Sequence, residues 1–199
     1  MSPREAELVE RTLVLLKPDA VERGLVGQIL TRFETVGLKI VGLKMVVPSR
    51  DFAARHYPNT PEWILGMGEK TLATYKDRGL DPIAEVGTTD PMKIGEMVKD
   101  WNIDYLSSGA VVAVSLEGLH AIATVRKLCG ATMPFFADPG SIRGTYSSTS
   151  AVVANVKRRA VRNLVHASST PDEAAHETAH WFGPEKPCLY QRADEDILA

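Results

Sequence analysis

The stretch RNLVHASSTPDEAAHE, residues 162–177, limits the fold more than any other part of the chain. It demands that a strand end and a helix start meet within a few residues, with a histidine at the junction. Leu164 and Val165 read as strand. Ser168, Ser169 or Thr170 can cap a helix, Pro171 suits its first turn, and Asp172 and Glu173 complement its positive end. Glu177 then falls about two turns into that helix, where its side chain can point back along the axis toward the strand. A histidine facing such a carboxylate is an activated nucleophile. The carboxylate holds one ring nitrogen protonated and leaves the other free to attack.

The same helix carries a competing pattern. Residues 176–180 read HETAH, which matches H-E-x-x-H, where two histidines one turn apart bind zinc and the glutamate acts as general base. A zinc peptidase needs a third protein ligand, and no histidine follows His180. Glu185, Asp194, Glu195 and Asp196 are the remaining candidates, all in a polar tail. The bland alternative makes His176 and His180 solvent-side helix residues.

Bulk properties exclude several classes. A chain of 199 residues fits one domain, and 44 % hydrophobic with 24 % charged residues suits a globular fold. The net charge of −2 argues against nucleic acid or an anionic membrane as main partner. A small polyanion needs only a local cluster of Lys and Arg. Cys129 and Cys188 are too few for a disulfide framework, which suits a reducing compartment. The leading MSPREAELVER lacks a signal-peptide core and no apolar run reaches membrane-spanning length, so the expectation is a cytoplasmic protein.

Along the chain, Thr12–Leu16 reads as a buried strand stopped at Lys17-Pro18-Asp19. Lys17 either aims its ammonium into a central cleft or snorkels at an edge. Leu25, Val26, Ile29, Leu30 and Phe33 follow helical spacing before Gly37, and residues 38–47 alternate as a strand with one buried face. Spacing of Trp63, Ile64 and Met67, and of Leu72 and Tyr75, predicts extra helices, and residues 82–91 a loop. GMGEKT, residues 66–71, fails the spacing of a phosphate-binding loop. Residues 108–118 read as a buried strand, followed by a helix over 119–128. Taken alone, Arg126 is a helix-surface charge and Arg143 a loop salt-bridge partner. Lys157, Arg158 and Arg159 read as a solvated face.

Three blocks carry a family resemblance: ERTLVLLKPDAVERGLVGQILTRFETVGLKIVGLKMV (residues 10–46), the His56-Tyr57 pair, and SGAVVAVSLEGLHAIATVRKLCGATMPFFADPGSIRGTY (residues 108–146). Together with the stretch around His166 they resemble the nucleoside diphosphate kinases over roughly three quarters of the chain. The resemblance implies an α+β, ferredoxin-like fold: a four-stranded antiparallel sheet with helices on one face, plus a helical insertion at about 58–104 and a tail at about 183–199, in one domain. It implies ping-pong transfer of a γ-phosphoryl group from ATP to nucleoside diphosphates through a phosphohistidine at His166, supported by Ser168 and Glu177. Arg126, Thr132 and Arg143 would bind the phosphates, and guanidinium forks suit phosphate oxygens. Lys17 and Asn163 would hold the ribose hydroxyls, with Tyr57 positioning Lys17. Magnesium would arrive bridging the nucleotide phosphates, with no protein metal ligand. Partners would be nucleoside tri- and diphosphates and further copies of the chain, in a tetramer or hexamer. Four residues depart from the pattern: Ala167 replaces a glycine, Ser169 an aspartate, and Ser141 and Thr145 a threonine and an aspartate. Counting back from Ser108-Gly109 puts Val98 at the base-stacking position, near Trp101 and Tyr105, and no residue is assigned there. A catalytically silent nucleotide-binding regulator is the other reading of the same fold.

Overall fold

The computed structural model describes residues 8–193. In chain order the elements are β1 (Val9–Leu16), α1 (Pro18–Glu22), α2 (Val26–Thr35), β2 (Lys39–Val46), α3 (Arg50–His56), α4 (Pro61–Asp77), α5 (Pro82–Val86), α6 (Pro91–Leu106), β3 (Val111–Leu119), α7 (Ala121–Cys129), a 3₁₀ turn (Pro134–Phe136), α8 (Ile142–Tyr146), α9 (Ala151–Val156), β4 (Val165–Ala167) and α10 (Pro171–Phe182). The four strands form one sheet in the order β2-β3-β1-β4, with every neighbouring pair antiparallel. This is the expected α+β arrangement.

The apolar run of β1 places it at the centre of the sheet, and both of its faces are covered. Val14 and Leu16 pack with Ile29, Phe33, Val125 and Ile142 on one side. Leu13 and Leu15 pack with Ala53, Leu106, Trp181 and Phe182 on the other. The expectation of helices on one face is therefore corrected. A strand without polar alternation has two apolar faces to bury, and helices lie against both.

Local chemistry sets the helix boundaries. α2 ends just before Gly37, whose φ of 90° suits a residue without Cβ. Thr170 caps α10 by accepting from the Glu173 N–H, with Pro171 in the first turn. On β2, a bulge falls between Ile40 and Gly42. There the Val41 carbonyl accepts a hydrogen bond from the Cys188 N–H at 2.7 Å. Lys44 pairs with Glu185, and Arg192 donates to the carbonyls of Glu34 and Leu38. The described part of the tail thus docks against β2 and masks part of an edge that would otherwise expose unpaired backbone.

The segment between the His-Tyr pair and β3 is helical, as its spacing predicts, although the expected loop at 82–91 contains the short helix α5. Thr60 and Asp90 cap α4 and α6, and a proline opens each helix. Ile64, Gly68, Thr71 and Tyr75 form the buried stripe of α4. Helices α4 and α6 cross at two glycines: a Cβ on Gly68 would strike the Pro91 carbonyl, and one on Gly95 the Ile64 carbonyl. Gly68→Ala should therefore push the helices apart and destabilise the protein by about 2 kcal/mol, the usual scale of overpacking. Thermal unfolding measures this, with Gly66→Ala, whose Cβ would meet open space, as the matched control.

Candidate active site

The site grows from the backbone just before β4. Leu164 has a φ of 67°, in the left-handed region that non-glycine residues avoid. Its N–H donates to Asp19 Oδ2 at 3.2 Å, and its carbonyl accepts from the Lys17 N–H at 2.8 Å. These bonds hold a conformation that costs on the order of 1–3 kcal/mol. Asp19 is buried and also accepts from the Tyr105 hydroxyl, whose pKa is pushed up by burial and by the Asp19 carboxylate. The sequence reading gave neither Asp19 nor Tyr105 a role. The Lys-Pro-Asp triplet at the strand end was the available signal for Asp19.

Lys17 turns inward rather than snorkelling. Its ammonium donates to Asn163 Oδ1 at 2.9 Å and lies 5.4 Å from the Tyr105 ring centre. Burial, reinforced by Arg143, lowers its pKa to about 8. Asn163 in turn donates to the Thr132 carbonyl at 3.0 Å. The Tyr57 hydroxyl reaches the Asn102 carbonyl at 3.4 Å. Lys17 is thus held by Asn163.

His166 and Glu177 meet as the helix geometry predicts. His166 Nε2 lies 2.8 Å from both Glu177 oxygens, and Ser168 Oγ donates to Glu177 Oε2 at 2.6 Å. A carboxylate against Nε2 fixes the ring proton there and leaves Nδ1 as the unprotonated nitrogen. Burial first, then Lys17, lowers the His166 pKa to about 3, while burial raises that of Glu177. His56, buried behind the pair, has its Nδ1 3.7 Å from Glu177 and accepts from the Trp181 indole at 3.3 Å. Its ring meets that of His166 edge-on, with centres 4.6 Å apart. The packing roles of His56 and Trp181 carried no signal beyond the His-Tyr pair.

The structure removes the zinc reading. His176 is exposed, and His180 stacks on Phe52 at 4.1 Å while its Nε2 contacts the Phe52 carbonyl. Glu177 faces His166 instead. Asp194, Glu195 and Asp196 lie outside the described residues. Among the described residues, the titratable cluster compatible with a metal is His56, His166 and Glu177, a different set.

Lys17, Arg126, Thr132, Arg143, Asn163 and His166 all line one cleft of about 400 Å³. Among the described residues, no carboxylate lines it. The two arginines differ in attachment. Arg126 is exposed and donates to Ser169 Oγ at 2.8 Å. Arg143 is buried and donates to the carbonyls of Asn163, Gly130 and Val165. Arg143 therefore also ties the backbone before β4 to the turn after α7. Arg143→Ala should lower stability by about 3 kcal/mol, because it strands buried carbonyls, whereas Arg126→Ala should change stability by less than about 1 kcal/mol. Urea unfolding of the two variants makes the comparison.

Comparison with known proteins accords with this geometry. A family model described as nucleoside diphosphate kinase matches residues 10–62 and 95–187. The nucleoside diphosphate kinase of Pyrobaculum aerophilum is 49 % identical over 178 residues, covering 89 % of this chain and 97 % of that protein. A crystal structure of an NDP kinase from the same organism superposes with a TM-score of 0.88 at 47 % identity, covering 91 % of this chain and all of that one (100 %). A transition-state mimic of the Borrelia burgdorferi enzyme, with bound vanadate and ADP, has a TM-score of 0.76 at 34 % identity, covering 96 % of this chain and 97 % of that one. This chain belongs to the nucleoside diphosphate kinase family.

Proposed function

We propose that this protein transfers the γ-phosphoryl group of a nucleoside triphosphate to a nucleoside diphosphate in two steps through a phosphohistidine at His166. The observation that carries this reading is the hydrogen bond from His166 Nε2 to Glu177, which leaves Nδ1 as a nucleophile in a cleft lined by cations.

In the first step the Nδ1 lone pair forms a P–N bond to the γ-phosphorus, and the bond to the β-bridging oxygen breaks. Its electrons leave with the nucleoside diphosphate. In the second step a β-phosphate oxygen of a new diphosphate attacks, and the P–N bond returns its pair to the ring. Phosphoryl transfer passes through a loose transition state with charge on the equatorial oxygens, so positioned cations supply much of the rate. Arg126 and the donors that Arg143 does not commit to backbone serve this purpose, with Thr132 beside them. Lys17 and Asn163 hold the ribose hydroxyls. Glu177 steadies the positive charge that grows on the ring as phosphate bonds.

Magnesium fits as a passenger of the nucleotide. Among the described lining residues there is no carboxylate to bind it directly, and Ser169 is engaged by Arg126. The phosphate oxygens themselves would hold the ion, which supplies charge neutralisation there. Exposed Leu43, Met45 and Val47 around β2 suit burial between copies, consistent with a homo-oligomer. No helix among the described residues is long and apolar enough to cross a membrane.

Incubation with γ-labelled ATP should yield an acid-labile, base-stable label that passes to any added nucleoside diphosphate. His166→Ala should abolish label and transfer, and His176→Ala should preserve both. Glu177→Gln keeps the shape without the charge and should slow single-turnover labelling by about 10- to 100-fold. Unchanged labelling in that variant would remove the His166–Glu177 pair from the mechanism.

A pH profile gives a separate check. An imidazole of ordinary pKa, near 6.5, would lose about tenfold in neutral form at pH 5.5. Because burial lowers the His166 pKa to about 3, the neutral ring persists there and fails only as pH falls toward that value. Single-turnover labelling with saturating nucleotide should change by less than about twofold between pH 7.5 and 5.5.

A further inference from the structure

From Trp63 onward, helix α4 lies in residues 63–94, which fall between the two segments matched by the family model. Two of its side chains, Trp63 and Lys70, nevertheless line the same cleft as His166. They are seven residues apart, which places them on one helix face about 10 Å from each other along the axis. The buried stripe Ile64, Gly68, Thr71 and Tyr75 points a different way, and α4 and α6 cross closely at Gly68 and Gly95. α4 also packs against α9, and the Trp63 ring lies 6.2 Å from that of Tyr57. The helix is thus fixed with the Trp63–Lys70 face turned to the cleft.

Charge decides what that face can receive. Lys70 joins Lys17, Arg126 and Arg143 in a cleft that no described carboxylate lines. No ion pair or side-chain hydrogen bond among the described residues engages the Lys70 ammonium. Asp19 acts on Lys17 from outside the cleft lining, but the lining cations still repel one another, and a bound polyanion relieves that repulsion. An ammonium on a flexible stem is also suited to a phosphate chain, because it acts as a point charge without a required bidentate geometry.

We infer that Lys70 is a substrate-contacting residue that binds the polyphosphate of the nucleotide, so that the inserted helix α4 completes the nucleotide site. The inference rests on the nucleotide reading above and adds to it a cation from the segment outside the family match. Trp63 forms the adjoining apolar wall, anchored beside Tyr57.

The experiment measures dissociation constants of the full chain for AMP, ADP and ATP by calorimetry, alongside single-turnover labelling from γ-labelled ATP. Lys70→Ala should weaken ADP and ATP by about 10-fold, the loss of one charge-assisted contact, and AMP by less than about 3-fold. Lys70→Arg should restore binding to within about 3-fold of the parent protein. Lys76→Ala removes an equal charge from the exposed end of the same helix and should leave all three constants unchanged. Equal ADP and ATP affinities in Lys70→Ala and the parent overturn the inference, as does an equal loss in Lys76→Ala, which makes the effect one of net charge. Absence of label in the parent defeats the proposed reaction instead, and the nucleotide series still decides the role of Lys70.

Discussion

The left-handed turn at Leu164, pinned by Asp19 and by the Lys17 backbone, is the constraint on which the site depends. It joins the end of the central strand to the start of the edge strand across 145 residues of sequence. Lys17 leaves β1 at this point, and Asn163 and His166 flank it on the other side. One backbone conformation therefore brings the cation, the amide and the imidazole to one cleft. Its cost is offset by burial of the Leu164 side chain and by hydrogen bonds that water cannot replace. Tyr105, reaching Asp19 from α6, ties the inserted helices to the same turn.

Electrostatics then separates two kinds of group within the cleft. Lys17, Arg143 and His166 are desolvated, and each has its pKa lowered by burial before any neighbour acts. For His166 that lowering preserves the nucleophilic form. For Arg143 it is offset by bonds to carbonyls, which fix the guanidinium before any ligand arrives. Arg126 stands at the solvent side with a single hydroxyl partner. A cleft whose described lining gathers Lys17, Arg126 and Arg143 with no carboxylate among them suits a phosphate chain, and preorganised donors of this kind do most in a transition state.

The inserted helices add to the family fold at the rim of its cleft. The C-terminal half of α6 contributes Ile103 and Leu106 to the core beneath β1, so the insertion is grafted onto an existing face. Two glycines allow α4 to lie close against α6, and that closeness sets where Trp63 and Lys70 stand. The close packing of α4 on α6 thus places a charge at the cleft that holds His166.

Much of this was legible in the sequence because it depends on local rules. The capped start of α10, the helical period of α2, the strand before Lys17 and the residue order along the family pattern are all short-range signals. So is the approach of Glu177 to His166, which follows from counting turns after Pro171. The choice between His166 and the HETAH zinc pair was not local. It depends on how α10 is rotated about its axis, and Trp181 and Phe182 settle that by packing under β1. The unbroken apolar run of β1 signals two faces to bury, but it could not show which helices cover each, since such a run has no alternation to read. Nor could spacing show Asp19 meeting Tyr105 across 86 residues, Tyr57 turning to Asn102, or the tail docking on β2 at the Val41 bulge. Sequence determined which residues stand at strand and helix ends, because backbone propensity and capping act within a few positions. Tertiary structure alone decided which of them share a cleft, because burial and hydrogen bonding are satisfied between segments whose separation in sequence carries no periodic signal.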